Sequence, residues 1–437
     1  MRGARGLALA IAGSAAVALL PLVACNVLTG ASDLGVCSAD CDELGSPSRD
    51  EAGVPANDGS AGDGAPVLPP TCSGTEATCA GKIAAQCEGG AWKQTTCAEL
   101  CVAGKCEPYP SCRNAAGGGC GTAPGASCCA TANVPGGSFK RRNLVDYPAT
   151  VSPFDLERFE VTVGRFRAFV EAGGATEATP PAAGAGAHPR VPNSGWVSAW
   201  NVFLPADIAA LRASLVRTNP TWTHAPGANE HKPINNVSWF LAFAFCAWDG
   251  AHLPTFAEAN FAASGGSEQR YYPWSNGPAD TVISAARASY ECNFDPPSRV
   301  CPPSSCSDGS SSPCNPVTCL APAACTYPAC TGCAFADIAS VGALPLSAGK
   351  WGHFDLSGNV GELVLDDDQN GMPSGPCSDC ATLAPNIVKG AGNKRLDAEF
   401  VVVGGGWDSS PGSLRTSTYG STRDDNVDAN IGFRCAR

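Results

Sequence analysis

Basic residues are scarce in this chain. Its 437 residues include 28 Lys+Arg against 40 Asp+Glu, and the formal net charge is -12. No run of more than three basic residues occurs, so we expect no nucleic-acid partner. Aromatic residues make up only 7% of the chain, whereas 50 glycines and 36 prolines are present. This balance is typical of a loop-rich protein rather than a helical one, and the length allows two or three modules.

The N-terminal segment predicts export. Two arginines precede an apolar run from Leu7 to Leu20, which is the plan of a secretory signal. The run leads to Leu-Val-Ala-Cys25, which resembles a bacterial lipobox, so we interpret residues 1–24 as a signal peptide and Cys25 as the lipidated first residue of the mature chain. The alternative is an ordinary signal peptide cut nearby, with Cys25 incidental. Asn26 follows, which by analogy with enteric bacteria favours the outer membrane, so we expect an anchored cell-envelope protein facing the periplasm or the surface.

Cysteine usage supports an oxidising compartment. The chain has 25 cysteines, which would be unusual in a reducing cytosol. Without Cys25, 25 − 1 = 24 remain, an even number that suits local disulfide frameworks. We therefore expect disulfides rather than free thiols.

Two segments precede the main domain. Residues 25–70 are rich in Gly, Pro, Asp and Ala, and they predict a lipidated N-terminus and flexible tether. Residues 71–130 hold ten cysteines around a single Trp92, which predicts a small disulfide-rich module. Zinc binding is the alternative, but the C-x2-C spacing of zinc knuckles is missing from this segment.

Residues 131–437 carry the patterns of a globular domain. Four apolar residues recur at helical spacing before a pair of glycines, and they are Val163, Phe166, Phe169 and Val170. A second helix is predicted within 233–249. Two short strands are predicted at residues 401–403 and 431–436. The connection between them is rich in Gly, Ser and Asp.

Eight short motifs follow one another along this domain. They are Glu160-Val-Thr, Pro233-Ile-Asn-Asn-Val-Ser-Trp239, the Ala-Phe-Cys-Ala-Trp helix, Leu253-Pro-Thr255, Tyr272-Pro-Trp274, Asp355-Leu-Ser-Gly-Asn-Val360, Gly404-Gly-Gly-Trp407 and Gly432-Phe-Arg-Cys435. Together they resemble the formylglycine-generating, or sulfatase-modifying-factor, domain. The resemblance implies an irregular α+β fold related to C-type lectins, here preceded by the small disulfide-rich module. The N-terminal half also resembles cysteine-rich lipoproteins common in myxobacteria.

The resemblance implies a reaction whose metal ligands this chain lacks. The family's enzymes oxidise a substrate cysteine to formylglycine with oxygen, using copper(I) held by two cysteines, and soft thiolates suit copper(I). The matching positions here are about Ser409 and Leu414, and no cysteine occurs between Trp407 and Cys435. We therefore expect no catalytic residues of the family's kind and no copper.

The resemblance also implies a structural calcium ion at the Gly-Asn turn. The matching positions are Asp355, Gly358, Val360 and Glu362. Calcium takes six to eight oxygen ligands, of which this turn could offer four. The alternative is that the two carboxylates only cap a turn on the surface. Asp366-Asp367-Asp368 forms a second acidic cluster, which we interpret as a solvated loop.

Two further sets of cysteines lie in the main domain. The resemblance implies a disulfide between Cys246 and Cys435. Residues 292–333 form a cysteine-rich insertion between family motifs, for which disulfide loops are expected. A four-thiolate zinc site is the alternative, and its ligands would be Cys330, Cys333, Cys377 and Cys380.

Iron chemistry is not expected. Iron-dependent relatives of the family need a histidine cluster, generally supplied by an additional helical domain, and no such domain precedes the fold here. The five histidines show no i, i+4 pairing, and lone histidines in loops usually hydrogen-bond or face solvent. They are His188, His224, His231, His252 and His353.

Two hypotheses of function follow. The leading one is a non-catalytic surface lipoprotein, attached to the membrane through its lipid anchor, whose domain binds a carbohydrate, peptide or protein ligand. The alternative is an oxidoreductase of the formylglycine-generating family that uses diverged metal ligands from the insertion. Copper uptake would separate the two.

Overall fold

A computed structural model describes residues 71–437, except 81, 98, 114–118, 123–124, 295–334, 369–370, 373, 384–397 and 424–426. The described residues all belong to one structural unit, Gly59–Arg437. None of their helices is long and apolar enough to cross a bilayer. The predictions for Cys25, the tether and most of the insertion lie outside the described residues.

Short elements separated by long loops make up the fold. The helices are α1 Val163–Glu171, α2 Ile208–Ser214, α3 Trp239–Trp248 and α4 Phe256–Ser264. The strands are β1 Ala77–Ala80, β2 Ile83–Glu88, β3 Ala91–Thr96, β4 Leu100–Val102, β5 Lys105–Glu107, β6 Thr131–Val134, β7 Gly137–Lys140, β8 Pro148–Val151, β9 Phe154–Glu157, β10 Gly361–Asp367, β11 Cys377–Ser378, β12 Glu399–Val403, β13 Tyr419–Arg423 and β14 Ile431–Gly432.

Side-chain caps fix where the helices begin. The Thr162 hydroxyl accepts a hydrogen bond from the Arg165 backbone N–H and starts α1, and Ser238 does the same for α3. These two helices confirm the predictions from spacing. α4 was not among the predicted helices, although Thr255 and Glu258 form a reciprocal capping box at its start.

The central sheet has the strand order β13-β12-β10-β14. β12 pairs antiparallel with β10 and β13, whereas β14 pairs parallel with β10. The polar connection predicted between residues 403 and 431 therefore contains a strand, β13, which lies at the edge of the sheet. The predicted closing strand over 431–436 is shorter than expected, since the regular strand β14 covers only Ile431–Gly432.

The core packs α3 between α1 and this sheet. The Trp239 ring stacks on Phe400 of β12, with ring centroids 4.2 Å apart. On the opposite side, Phe245 packs against Phe166 and Phe433, at centroid distances of 5.6 and 5.4 Å. The Trp239 indole N–H also donates to the Val364 carbonyl over 2.8 Å, which ties the helix to β10.

The acidic cluster Asp366-Asp367-Asp368 is not a solvated loop, and that prediction was wrong. Asp366 and Asp367 lie in β10 and are only 3% and 2% exposed. Asp366 accepts the backbone N–H of Phe256, at the start of α4, over 2.7 Å. Its other oxygen accepts the Thr382 N–H over 2.8 Å. These carboxylates satisfy backbone donors where elements meet.

The cysteine-rich segment is held by disulfides, as predicted. It contains the sheet β1-β2-β3 and the hairpin β4-β5. Its bridges are Cys72–Cys87, Cys79–Cys101, Cys97–Cys106, Cys112–Cys129 and Cys120–Cys128. The segment also contacts the main domain, because the Arg437 guanidinium lies 3.7 Å from the centroid of the Tyr109 ring.

Candidate functional site

A groove of about 280 Å³ opens beside the central sheet. Its walls come from β12, β13, β14 and the loop that joins β12 to β13. Six of the lining residues carry hydroxyl groups, and they are Ser409, Ser413, Thr418, Tyr419, Ser421 and Thr422. Asp428 and Asn430 add a carboxylate and an amide, while Val402 and Ile431 add apolar surface. The groove therefore offers many hydrogen-bonding groups and little charge.

Glycines bring the backbone close to this groove. A Cβ added at Gly406 would lie 2.8 Å from the Cβ of Asn430, so only glycine allows this approach of the loop to the segment before β14. The Asn430 side chain then donates to Asp408 over 2.9 Å. Burial raises the pKa of Asp408, an effect that this hydrogen bond opposes and the charge of Asp428 reinforces.

The structure separates the two positions that match the copper ligands. Ser409 is half-buried and lines the groove, and its hydroxyl accepts the Gly406 N–H over 2.9 Å. The Leu414 side chain is fully buried against Tyr272 and Trp274. A buried isobutyl group and an engaged hydroxyl provide no soft ligand for copper(I).

Two of the four residues predicted to hold calcium have other partners in the structure. Asp355 accepts the Gly342 N–H over 2.6 Å with one oxygen and the Ser347 hydroxyl over 3.0 Å with the other. Glu362 forms a bidentate ion pair with Arg434, at 2.6 and 2.7 Å. A guanidinium thus occupies the place of a cation beside Glu362. Both carboxylates are buried, whereas the alternative interpretation placed them at the surface.

A further carboxylate lies beside this turn. Glu160 is fully buried and accepts hydrogen bonds from the Asn359 side chain over 2.8 Å and the Val360 backbone over 3.2 Å. Burial, together with the nearby charges of Asp355 and Glu362, raises the pKa of Glu160 well above its usual range. Burial also raises the pKa of Asp355.

The remaining cysteine predictions concern a disulfide and an alternative zinc site. Cys246 and Cys435 are joined by a disulfide that links α3 to the end of the chain. Cys377 and Cys380 also form a disulfide, which removes two of the four ligands from the zinc alternative. Cys330 and Cys333 lie outside the described residues.

A family model described as the sulfatase-modifying factor enzyme 1-like domain matches residues 120–437. The chain belongs to this family. The predicted family and its irregular α+β fold are thereby confirmed. The match begins at Cys120, so it includes the end of the cysteine-rich segment.

Curated relatives of this family differ in activity. The chain is 31% identical over 141 residues to a formylglycine-generating enzyme of Thermomonospora curvata, which is 29% of this chain and 42% of the relative. It is 32% identical over 142 residues to an inactive C-alpha-formylglycine-generating enzyme 2 of Mus musculus, again 29% of this chain and 42% of the relative. It is also 31% identical over 147 residues to a hercynine oxygenase of Mycobacterium tuberculosis, which covers 32% and 30% of the two chains. The matched regions thus span less than half of these relatives' own length.

Among solved structures, PvdO from Pseudomonas aeruginosa aligns with 70% of this chain and 93% of its own, at 18% identity and a TM-score of 0.39. CarF aligns with 71% of this chain and 98% of its own, at 18% identity and a TM-score of 0.34.

Three of the five histidines, His188, His252 and His353, are 4% exposed or less. His188 and His353 hydrogen-bond, to Glu258 and to the Ala132 carbonyl, which is one of the two expected outcomes for lone histidines. His188 and His252 also meet Glu258 of α4, so that one ring nitrogen of each histidine and a carboxylate oxygen lie within 4.8 Å of one another. Sequence spacing gave no signal for this cluster, because its members come from separate loops and a helix.

A second cluster joins the cysteine-rich segment to the main domain. The sulfurs of Cys120 and Cys128 each lie 3.9 Å from Nδ1 of His231. The two cysteines form a disulfide with each other, so neither sulfur is a thiolate in this state. The cluster resembles a metal site only after reduction.

Proposed function

We propose that this protein is an exported, membrane-anchored lipoprotein whose sulfatase-modifying-factor domain is a non-catalytic binding module. The supporting observation is the groove, where hydroxyl groups and glycines lie around Ser409 and the other copper-ligand position, Leu414, is buried. Among the relatives, the Mus musculus protein is named inactive, so loss of the reaction is compatible with this family.

The groove favours a polar, uncharged ligand such as a carbohydrate or an extended peptide. Small hydroxyls and an amide exchange hydrogen bonds with sugar hydroxyls or peptide groups, and the apolar patch of Val402 and Ile431 suits the flat face of either ligand. Asp428 supplies the exposed carboxylate.

The test uses the full chain, purified in detergent without reducing agent. We expect selective binding on a glycan or peptide array, and we expect Asp428→Asn to weaken that binding. Asp146→Asn is the matched control, because Asp146 is also exposed but does not line the groove. An array without selective binding, or equal effects of the two variants, would count against the groove as the binding site.

An oxidoreductase with diverged ligands is the second candidate. The cluster of Cys120, Cys128 and His231 is the observation that favours it, because after reduction of the disulfide two thiolates and an imidazole would suit copper(I) or zinc. We expect the oxidised protein to take up no copper(I) and to leave a sulfatase-type cysteine peptide unchanged. Stoichiometric copper(I) with conversion of the peptide would overturn the binding-module proposal in favour of this candidate.

A further inference from the structure

Three side chains from distant parts of the chain converge inside the main domain. His188 comes from the loop between α1 and α2, His252 precedes α4, and Glu258 lies in its first turn. The His188 and His252 rings meet edge to face, with centroids 4.6 Å apart. All three residues are at most 4% exposed. This cluster is separate from the groove, whose lining includes none of the three.

One atom of the cluster lacks a partner. Nε2 of His252 is buried and has no hydrogen-bond partner among the described residues. Its nearest carboxylate oxygen is Oε2 of Glu258, at 3.9 Å, which is too far for a hydrogen bond. A buried polar atom without a partner is costly, and natural proteins rarely retain one without a ligand, water or ion to satisfy it.

We propose that His188, His252 and Glu258 bind a zinc ion that has a structural role. Two imidazole nitrogens and a carboxylate are ligands that zinc takes at about 2.0–2.2 Å. If Glu258 binds through both oxygens, the three residues supply four donor atoms to the ion. The nitrogen ligands argue against calcium or magnesium, which prefer oxygen, and the absence of a thiolate from the cluster argues against copper(I).

The geometry of the cluster suits a cation, because one ring nitrogen of each histidine and a carboxylate oxygen lie within 4.8 Å of one another in the buried interior. The neighbouring Arg437 belongs to a separate ion cluster with Glu157 and Asp249.

Zinc binding would require one local rearrangement. His188 now donates from Nε2 to Oε1 of Glu258 over 3.0 Å, while its Nδ1 accepts the Arg190 backbone N–H over 3.1 Å. When Nε2 binds zinc, the proton moves to Nδ1 and the Arg190 N–H loses its acceptor. We therefore expect the segment 188–191 to turn on loading. The Thr255 N–H donates a hydrogen bond to Oε2 of Glu258. This bond is compatible with metal binding, because a carboxylate oxygen can accept a hydrogen bond and bind a metal ion at the same time.

The first measurement is the metal content of the full chain, purified oxidised and without chelator. We expect near-stoichiometric zinc by elemental analysis. We also expect the midpoint of thermal unfolding to fall after chelation and to return with added zinc but not with magnesium. A chain free of zinc whose unfolding midpoint does not respond to zinc would overturn the proposal.

The variant His252→Gln separates the site from a merely structural histidine. If the site binds zinc, the variant should lose more zinc affinity than the roughly 10–100-fold that follows loss of an outer-shell partner. Chelation should then no longer shift its midpoint of thermal unfolding. If the site binds no zinc, the variant only removes a nitrogen that has no partner, and the zinc content stays unchanged. That result would also overturn the proposal. His353→Gln is the buried control and His224→Gln the exposed control, and both should retain the metal.

Should His252→Gln fail to fold, cobalt(II) substitution of the unaltered chain decides the question. We expect the visible absorption bands of four-coordinate cobalt, which zinc should displace. Bands of six-coordinate cobalt, or none, would contradict a closed site in this cluster.

Discussion

The Arg434 guanidinium holds both carboxylate oxygens of Glu362, with Nε 2.7 Å from Oε2 and Nη2 2.6 Å from Oε1. The same guanidinium also donates to the carbonyls of Glu157 and Phe354. One side chain therefore satisfies acceptors from three separate segments inside the domain. Although burial opposes it, the charge of Glu362 raises the pKa of Arg434 further.

Replacing Arg434 by methionine should lower the free energy of unfolding by about 3–5 kcal/mol, because it leaves Glu362 buried without a counter-charge. Urea unfolding followed by tryptophan fluorescence would measure the loss. The double variant Arg434→Met/Glu362→Leu should recover part of it. Arg212→Met, on the exposed side of α2, is the control. Equal effects of Arg434→Met and the control would contradict the importance of the pair.

The disulfide between Cys246 and Cys435 should contribute more stability than any short-range bridge. Its sequence separation of 189 residues predicts a loss of about 5 kcal/mol when both cysteines become alanine. The bridge between Cys377 and Cys380 spans only 3 residues, so its removal should cost about 1 to 2 kcal/mol. Denaturant midpoints of the two double variants give the comparison, and a larger loss for the short bridge would contradict it.

His353 should make the domain sensitive to acid. Burial, assisted by the positive charge of Arg434, lowers its pKa to about 3 in the folded state, against about 6.5 in the unfolded chain. The unfolded state therefore binds more protons between these values, and stability falls as the pH drops below about 6.5. At pH about 4.5 the loss due to this histidine is about 2 to 3 kcal/mol.

The variant His353→Gln tests this pH dependence. Its free energy of unfolding should fall less steeply than that of the unaltered chain when urea unfolding is repeated between neutral pH and pH about 4.5. The exposed His224→Gln should keep the original slope. If both variants follow the unaltered chain, another group controls the acid sensitivity.

Gly404 should tolerate no side chain. Its φ is +85°, and an added Cβ would lie 2.9 Å from the Leu356 carbonyl oxygen. Gly404→Ala should therefore lower the unfolding free energy by about 1–3 kcal/mol. Gly420 in β13 has no atom within 4 Å of an added Cβ, so Gly420→Ala should stay within about 0.5 kcal/mol. Similar losses in both variants would refute this explanation.

Local patterns predicted the elements whose sequence matches their environment. α1 and α3 carry apolar residues at helical spacing and a hydroxyl cap, so periodicity alone located them. β13 was missed because its sequence Tyr-Gly-Ser-Thr-Arg resembles a loop, and only pairing with β12 makes it a strand. The acidic run at 366–368 was misread for a similar reason, since its partners Phe256 and Thr382 are remote in sequence.

The candidate sites, too, could be predicted from the sequence only in part. The resemblance pointed to Ser409 and Leu414 in the loop between β12 and β13, but only the fold shows that one lines the groove and the other is buried. His188 and His252 are 64 positions apart, counted as 252 − 188 in the sequence, so no spacing rule could join them. The calcium positions were named from the motif, whereas Arg434, which pairs with Glu362, comes from the far end of the chain.

Phe433, Cys435 and Ala436 are all fully buried, and Ala436 bridges to both Leu156 and His252. These residues follow almost every other described residue in the sequence. The segments that they join therefore stay incompletely packed until residue 436 has been synthesised. A chain truncated before residue 433 would have an open core and would leave Cys246 without its disulfide partner.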